Sequence, residues 1–153
     1  METDMYSLSL DFEWKSVDAV ANIETYRFPR PFDKTMNKFY HVPAVYRWKI
    51  YKPHTQCTMV YIGETDNLKQ RISGYLKPGP SQHTNIRMKA LFEQYIKGGF
   101  IIELDIFQIK KFIFGGIEYQ QDSLDSKNIR VLLENLIILD HKNNDYELLN
   151  AKV

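Results

Sequence analysis

Apolar side chains fall at every second position in Tyr6, Leu8, Leu10, Phe12 and Trp14, the spacing of a half-buried strand, although Asp11 to Ala21 also allows a helix to begin. In the stretch Tyr26-Arg27-Phe28-Pro29-Arg30-Pro31 two prolines exclude a helix interior and leave an extended segment with two arginines. From Val42 the pattern sharpens. Ala44 to Tyr51 and Thr58 to Ile62 are β-prone runs joined by a short Lys52-to-Gln56 loop, so they predict an antiparallel pair. Thr65 or Asp66 would cap a following helix that ends by Lys77, before Pro78-Gly79-Pro80. Met88, Leu91, Phe92 and Tyr95 lie at i, i+3, i+4 and i+7 and predict an amphipathic helix over Asn85 to Lys97, stopped by Gly98-Gly99. Phe100 to Phe107 alternates again, with Ile102, Leu104 and Ile106 on one face and Glu103 and Asp105 on the other. Gly115-Gly116, set between Phe112-Ile113-Phe114 and Ile117-Glu118-Tyr119, suits a two-residue hairpin turn. A last helix is expected from about Ser126 to His141, with a polar tail behind it.

A chain of 153 residues with 44% hydrophobic and 25% charged side chains is long enough to bury one core, and its composition is that of a globular domain. No apolar run reaches the length of a membrane span, and Met1-Glu2-Thr3-Asp4 is unlike a secretory signal, so the expected compartment is the cytoplasm, with no membrane partner. The single Cys57 excludes an internal disulfide, and the four histidines show no paired spacing for zinc. Any metal should therefore be a hard, oxygen-ligated ion. A net charge of +1 argues at first against a nucleic-acid partner. Its distribution reverses that: basic against acidic residues number 5 to 7 over residues 1–42, 9 to 3 over 43–97 and 6 to 9 over 98–153, so the middle of the chain is a basic block that attracts phosphates.

Three features carry chemistry. The predicted strand pair holds a tyrosine on each strand, in Ala44-Val45-Tyr46 and Tyr61-Ile62-Gly63. Arg71 lies eight residues beyond Gly63 on the next helix, with Tyr75 one turn later on the same side. Glu134 emerges from a largely apolar stripe whose helical neighbours are Arg130, Val131, Ile137 and Ile138. A carboxylate there needs compensation, and two kinds fit equally: a bound cation, or an ion pair with Arg130 one turn back.

Together these residues resemble the GIY-YIG nuclease family. Tyr61-Ile62-Gly63 matches the second half of the family name, and Ala44-Val45-Tyr46 is a conservative form of the first, with Ala44 and Val45 in place of glycine and isoleucine. Arg71 stands at the family's offset, Tyr75 fills the place of its histidine or tyrosine, Leu132-Leu133-Glu134 resembles its glutamate helix and Leu148-Leu149-Asn150 its closing asparagine motif. The resemblance runs over roughly residues 43 to 151, which sets a domain over 43–153 behind an N-terminal extension of residues 1–42. The 112-to-119 hairpin stands out as an insertion.

The resemblance implies an α+β fold, a small and mainly antiparallel sheet flanked by helices, and hydrolysis of DNA phosphodiester bonds with a divalent ion such as Mg2+. In that scheme Glu134 would ligate the metal, Arg71 would pair with the scissile phosphate, and Tyr46 would orient or deprotonate the attacking water, with Tyr61 and Tyr75 as hydrogen-bonding partners. A free tyrosine has a pKa of about 10, so this needs nearby positive charge, which Arg71 and the metal would supply. Asn150 would brace the site from behind. Lys69, Lys77, Arg87 and Lys89, and Arg27 and Arg30 in the arm, would follow a DNA backbone; a solvated surface, or an arm packing Phe28 and Phe32 on the core, accounts for them as well. The function expected is thus a restriction or mobile-element endonuclease, with a nuclease for branched or damaged DNA, or a non-catalytic DNA-binding protein on the same scaffold, as alternatives. One site cuts one strand, so a double-strand break requires a homodimer or two successive nicks, and the sequence does not choose.

Overall fold

The computed structural model of the protein describes residues 3–20, 40–55 and 58–151. The arginine-bearing arm with Arg27 and Arg30, and Cys57, lie outside them. Among these residues six strands form one sheet: β1 (Leu8–Val20), β2 (Ala44–Tyr51), β3 (Thr58–Thr65), β4 (Ile101–Phe114), β5 (Ile117–Tyr119) and β6 (Glu147–Leu148). Their order is β1-β4-β2-β3-β6, with β5 paired to β4 alone. All pairings are antiparallel except the short parallel contact of β3 with β6. Three helices accompany the sheet among the described residues: α1 (Leu68–Leu76), α2 (His83–Lys97) and α3 (Lys127–Asn143). The fold is therefore α+β with a mainly antiparallel sheet, as the resemblance implied.

Helices lie on both faces, and alternation along the strands shows how. Tyr46, Trp48 and Ile50 of β2 join Leu68, Ile72 and Tyr75 of α1 and Met88 and Phe92 of α2 in one buried cluster. Val45 of β2 and Val60 and Ile62 of β3 point the other way, to Leu133 and Ile137 of α3.

Several boundaries differ from the sequence reading for identifiable reasons. The segment after Asp11 is strand, not helix: β1 continues to Val20, with register shifts between Asp11 and Phe12 and between Ser16 and Asp18. Such an extra residue reverses which side alternate residues face; Leu10, Phe12 and Trp14 pack with α3, whereas Val17 and Val20 reach the α1–α2 cluster. Thus β1, from the expected extension, is hydrogen-bonded along β4 of the same sheet. The cap of α1 is Asn67, whose side chain accepts from the Gln70 N–H, because β3 runs on through Thr65. The hairpin turn holds: Gly115 and Gly116 have φ of 60° and 79°, the left-handed pair that a tight turn between twisted strands requires.

The expected polar face of β4 is covered in part, with Glu103 half-buried and Asp105 buried. Asp105 is covered and bonds Arg47 of β2, with Nε and Nη2 of the arginine 2.8 and 2.7 Å from one carboxylate oxygen. The guanidinium lies 4.4 Å over the Trp14 ring and donates to His141 Nε2 at 2.9 Å. Alternation tells which face a residue occupies, but whether that face meets water depends on α3, which arrives from far along the chain.

Candidate functional site

Close to where β2, β3 and α1 meet, three tyrosines form a relay. Tyr46 Oη lies 2.7 Å from Tyr75 Oη, and the Tyr61 ring packs against the other side of the pair through Tyr75. The Tyr61 and Tyr75 rings meet edge to face at 6.1 Å, and Tyr46 and Tyr75 at 6.3 Å. Antiparallel pairing sets Tyr46 opposite Gly63, and this glycine makes the relay possible, since a Cβ there would overlap Tyr46 Oη and Cζ. The final glycine of Tyr61-Ile62-Gly63 is thus a space requirement of the other motif's tyrosine.

Burial, more than any charge, governs these hydroxyls. Tyr46 is almost wholly covered, and desolvation, followed by the neighbouring Tyr75, raises it well above the usual phenol range. Tyr75 is raised too, first by burial and then by Tyr61. Arg71 lowers both, in the direction the sequence suggested, but burial outweighs it. The free protein therefore keeps Tyr46 as a neutral phenol bonded to Tyr75. Sequence reasoning set Tyr46 against the attacking water; in the structure its buried hydroxyl meets that of Tyr75, and half-buried Tyr61 is the member nearest solvent.

Arg71 is exposed on α1 and lies within electrostatic reach of Tyr46, Tyr75 and Glu134. It also lines a polar cleft of about 220 Å³ between the start of α1 and the start of α2. Glu134, on α3, is half-buried, and its carboxyl is raised above the usual range by burial first and by the Glu64 carboxylate second. The Glu64 backbone N–H and Arg71 oppose that rise.

The ion pair of Glu134 with Arg130 is not formed. Arg130 Nε instead bonds Glu64 Oε2 at 2.8 Å, and its Nη1 bonds the carbonyls of Leu124 and Asp125 at 2.8 and 3.1 Å. Glu134 has no ion-pair partner among the described residues. Glu134 and Glu64 lie within electrostatic reach of each other, and with Glu134 unpaired and Glu64 tied to Arg130 they are the residues that could hold a hard ion such as Mg2+, which takes one or two carboxylates and fills its other positions with water and phosphate oxygens. Among the described residues no group of three metal-ligating side chains occurs, so a cage made of protein ligands alone is not what these residues build.

Asn150, in the turn Leu149–Ala151, donates to the Ile62 carbonyl at 2.7 Å and accepts from the Ile62 N–H at 3.0 Å. Its amide continues the β3–β6 pairing and holds the strand between Tyr61 and Gly63. The basic residues spread over two helices. Lys69 and Lys77 stand on or just after α1, and Arg87 and Lys89 on α2, where Arg87 donates to Thr84 at 3.5 Å. Tyr46, Tyr61, Tyr75, Arg71 and Glu134 are thus brought together, with Asn150 behind them.

Glu64 was missed by sequence reasoning. Its signal was available: period-two alternation places it with Ile62 on the α3 side of β3, where Glu134 arrives. The carboxamides Gln70, Gln82 and Asn85 of the cleft gave no comparable signal, because the loop that joins the helices sets their meeting. No helix among the described residues is long and apolar enough to cross a membrane. No protein-family model, curated protein or solved structure matches the chain.

Proposed function

We propose that the chain is a divalent-metal-dependent DNA endonuclease whose site comprises Tyr46, Tyr61, Tyr75, Arg71 and Glu134, with Asn150 as a positioning residue. The observation that carries this reading is the convergence of residues from β2, β3, α1 and α3: a hydroxyl relay with a 2.7 Å link, and an arginine whose charge reaches both the relay and an unpaired carboxylate. The resemblance of the sequence motifs supports the same assignment.

In this scheme Glu134 would hold a Mg2+ ion, with Glu64 near it, and the ion would supply charge stabilisation for the leaving oxygen. Arg71 pairs with the scissile phosphate and offsets the charge that builds as the bond breaks. Tyr61 presents its hydroxyl to the attacking water. Tyr75 and Tyr46 act behind it as neutral phenols that fix its orientation.

The test is incubation of the protein with supercoiled plasmid, with and without Mg2+, read for nicked and linear product. Cleavage that needs Mg2+ and disappears in Glu134→Gln is expected; Mg2+-independent or Glu134-independent cutting would remove the metal role. The burial of Tyr46 favours one second reading, a DNA-binding protein on this scaffold that does not cut. Retention of plasmid with no cleavage at any divalent-ion concentration would select it.

A further inference from the structure

The cleft beside Arg71 is not built for a phosphate. Besides the guanidinium it is lined by Asn67, Gln70, Gln82 and Asn85, and by the carboxylate of Asp66, which repels an anion. Its space depends on Gly74, inside α1, where glycine is a poor helix former. A Cβ at Gly74 would already lie 3.3 Å from Asn85 Nδ2, so a larger side chain would fill the opening.

The carboxamides are oriented. The Gly79 N–H, which can only donate, meets Gln82 Oε1 at 2.9 Å, and Asn85 must therefore turn Nδ2 to the same oxygen, at 3.3 Å. This leaves Gln82 Nε2 as a donor and Asn85 Oδ1 as an acceptor with no partner among the described residues. The Gln70 side chain is likewise without a partner there. Asn67 is committed, since its oxygen caps α1.

We propose that this cleft is a base-reading subsite, which takes the edge of an amino-bearing nucleobase, adenine or cytosine, next to the phosphate held by Arg71. An edge that offers an N–H donor beside a ring-nitrogen acceptor is the complement of a carboxamide, and Asp66 is a further acceptor for an exocyclic amino group. A phosphate at Arg71 leaves its flanking base within one nucleotide of these groups. The inference rests on the nuclease reading for the identity of the ligand.

The experiment uses the full chain and fluorescent oligonucleotides, single-stranded and duplex, that differ only at each base around the cut, with binding read by anisotropy without metal and cleavage read with Mg2+. The expected result is a preference of about tenfold or more for adenine or cytosine at one position, the scale of one good base contact. Gly74→Leu and Asn85→Leu should each flatten the preference while cleavage of the least favoured substrate stays unchanged, and thermal melting identifies any variant that fails to fold. Cleavage without base preference, or with a preference that survives in folded Asn85→Leu, would overturn the base-reading role and leave the nuclease reading intact. Base-dependent binding without cleavage would remove the nuclease and keep the subsite. Binding of neither oligonucleotide class would sink both.

Discussion

At the scale of single residues, the proposed scheme separates groups that would do chemistry from groups that hold them. Gly63 touches no substrate in this scheme, yet a methyl there collides with the Tyr46 hydroxyl. Gly63→Ala should cost about 1–3 kcal/mol, as overpacking of a tight core does, and urea denaturation would measure it; wild-type stability would mean that the Tyr46 ring moves aside freely. The relay makes a graded prediction. Tyr61→Phe should lower single-turnover cleavage on the order of a hundredfold, the scale for loss of a proton-handling group, and Tyr46→Phe should lower it less, with DNA affinity kept in both. Equal losses would return the water contact to Tyr46. The tyrosines, Arg71 and Glu134 stood out in the sequence because each sits in a short local motif. Glu64 and Arg130 were not read as a pair because they bond across 66 positions, and helical spacing pointed Arg130 to Glu134 instead.

At the scale of elements, Arg47, Asp105, His141 and Trp14 tie β1, β2, β4 and α3 together through one buried group of charges and rings. Removing one partner of a buried pair strands the other, so Asp105→Ala should cost about 3–5 kcal/mol, far more than an exposed carboxylate would, and a thermal melt would show it. His141 adds a pH dependence. Its Nε2 accepts from Arg47 and its Nδ1 donates to the Ile137 carbonyl at 2.9 Å, an arrangement that suits only the neutral ring. Burial and Arg47 lower its pKa, while the Ile137 carbonyl, Asp140 and Asp105 oppose them without prevailing. The unfolded chain thus takes up a proton that the folded chain refuses. The stabilisation is complete above an unfolded histidine pKa of about 6.5 and is lost as pH falls below it toward the depressed folded value. Denaturation of wild type and His141→Gln at descending pH should show the wild type losing its advantage; a constant difference would contradict the linkage. Most helices and strands were legible from periodicity, while the mainly antiparallel sheet came from the resemblance. The Arg47 pair was not, since a charged residue on an alternating strand looks the same under solvent as under a helix.

At the scale of the whole molecule, the site depends on two faces of one sheet. The relay belongs to the α1–α2 side and the carboxylates to the α3 side, and β3 carries residues of both, Tyr61 and Gly63 toward one and Glu64 toward the other. Asn150 holds that strand by its backbone. Asn150→Ala should loosen it, with amide exchange at Ile62 faster than in wild type while the amides of β1 are unchanged; equal exchange at Ile62 would show that β6 suffices. The clamp also has a consequence in time. Asn150 and Ile62 stand 88 positions apart, and a ribosome adding about 5–20 residues per second leaves β3 waiting roughly 4–18 s for its brace. Tyr46 and Tyr61 precede that interval and Arg71 and Tyr75 enter early in it, whereas Glu134 comes late and the asparagine closes it. In the proposed scheme, then, a nascent chain would complete its cutting site only near the end of translation, after β3 has stood through most of the interval without its brace.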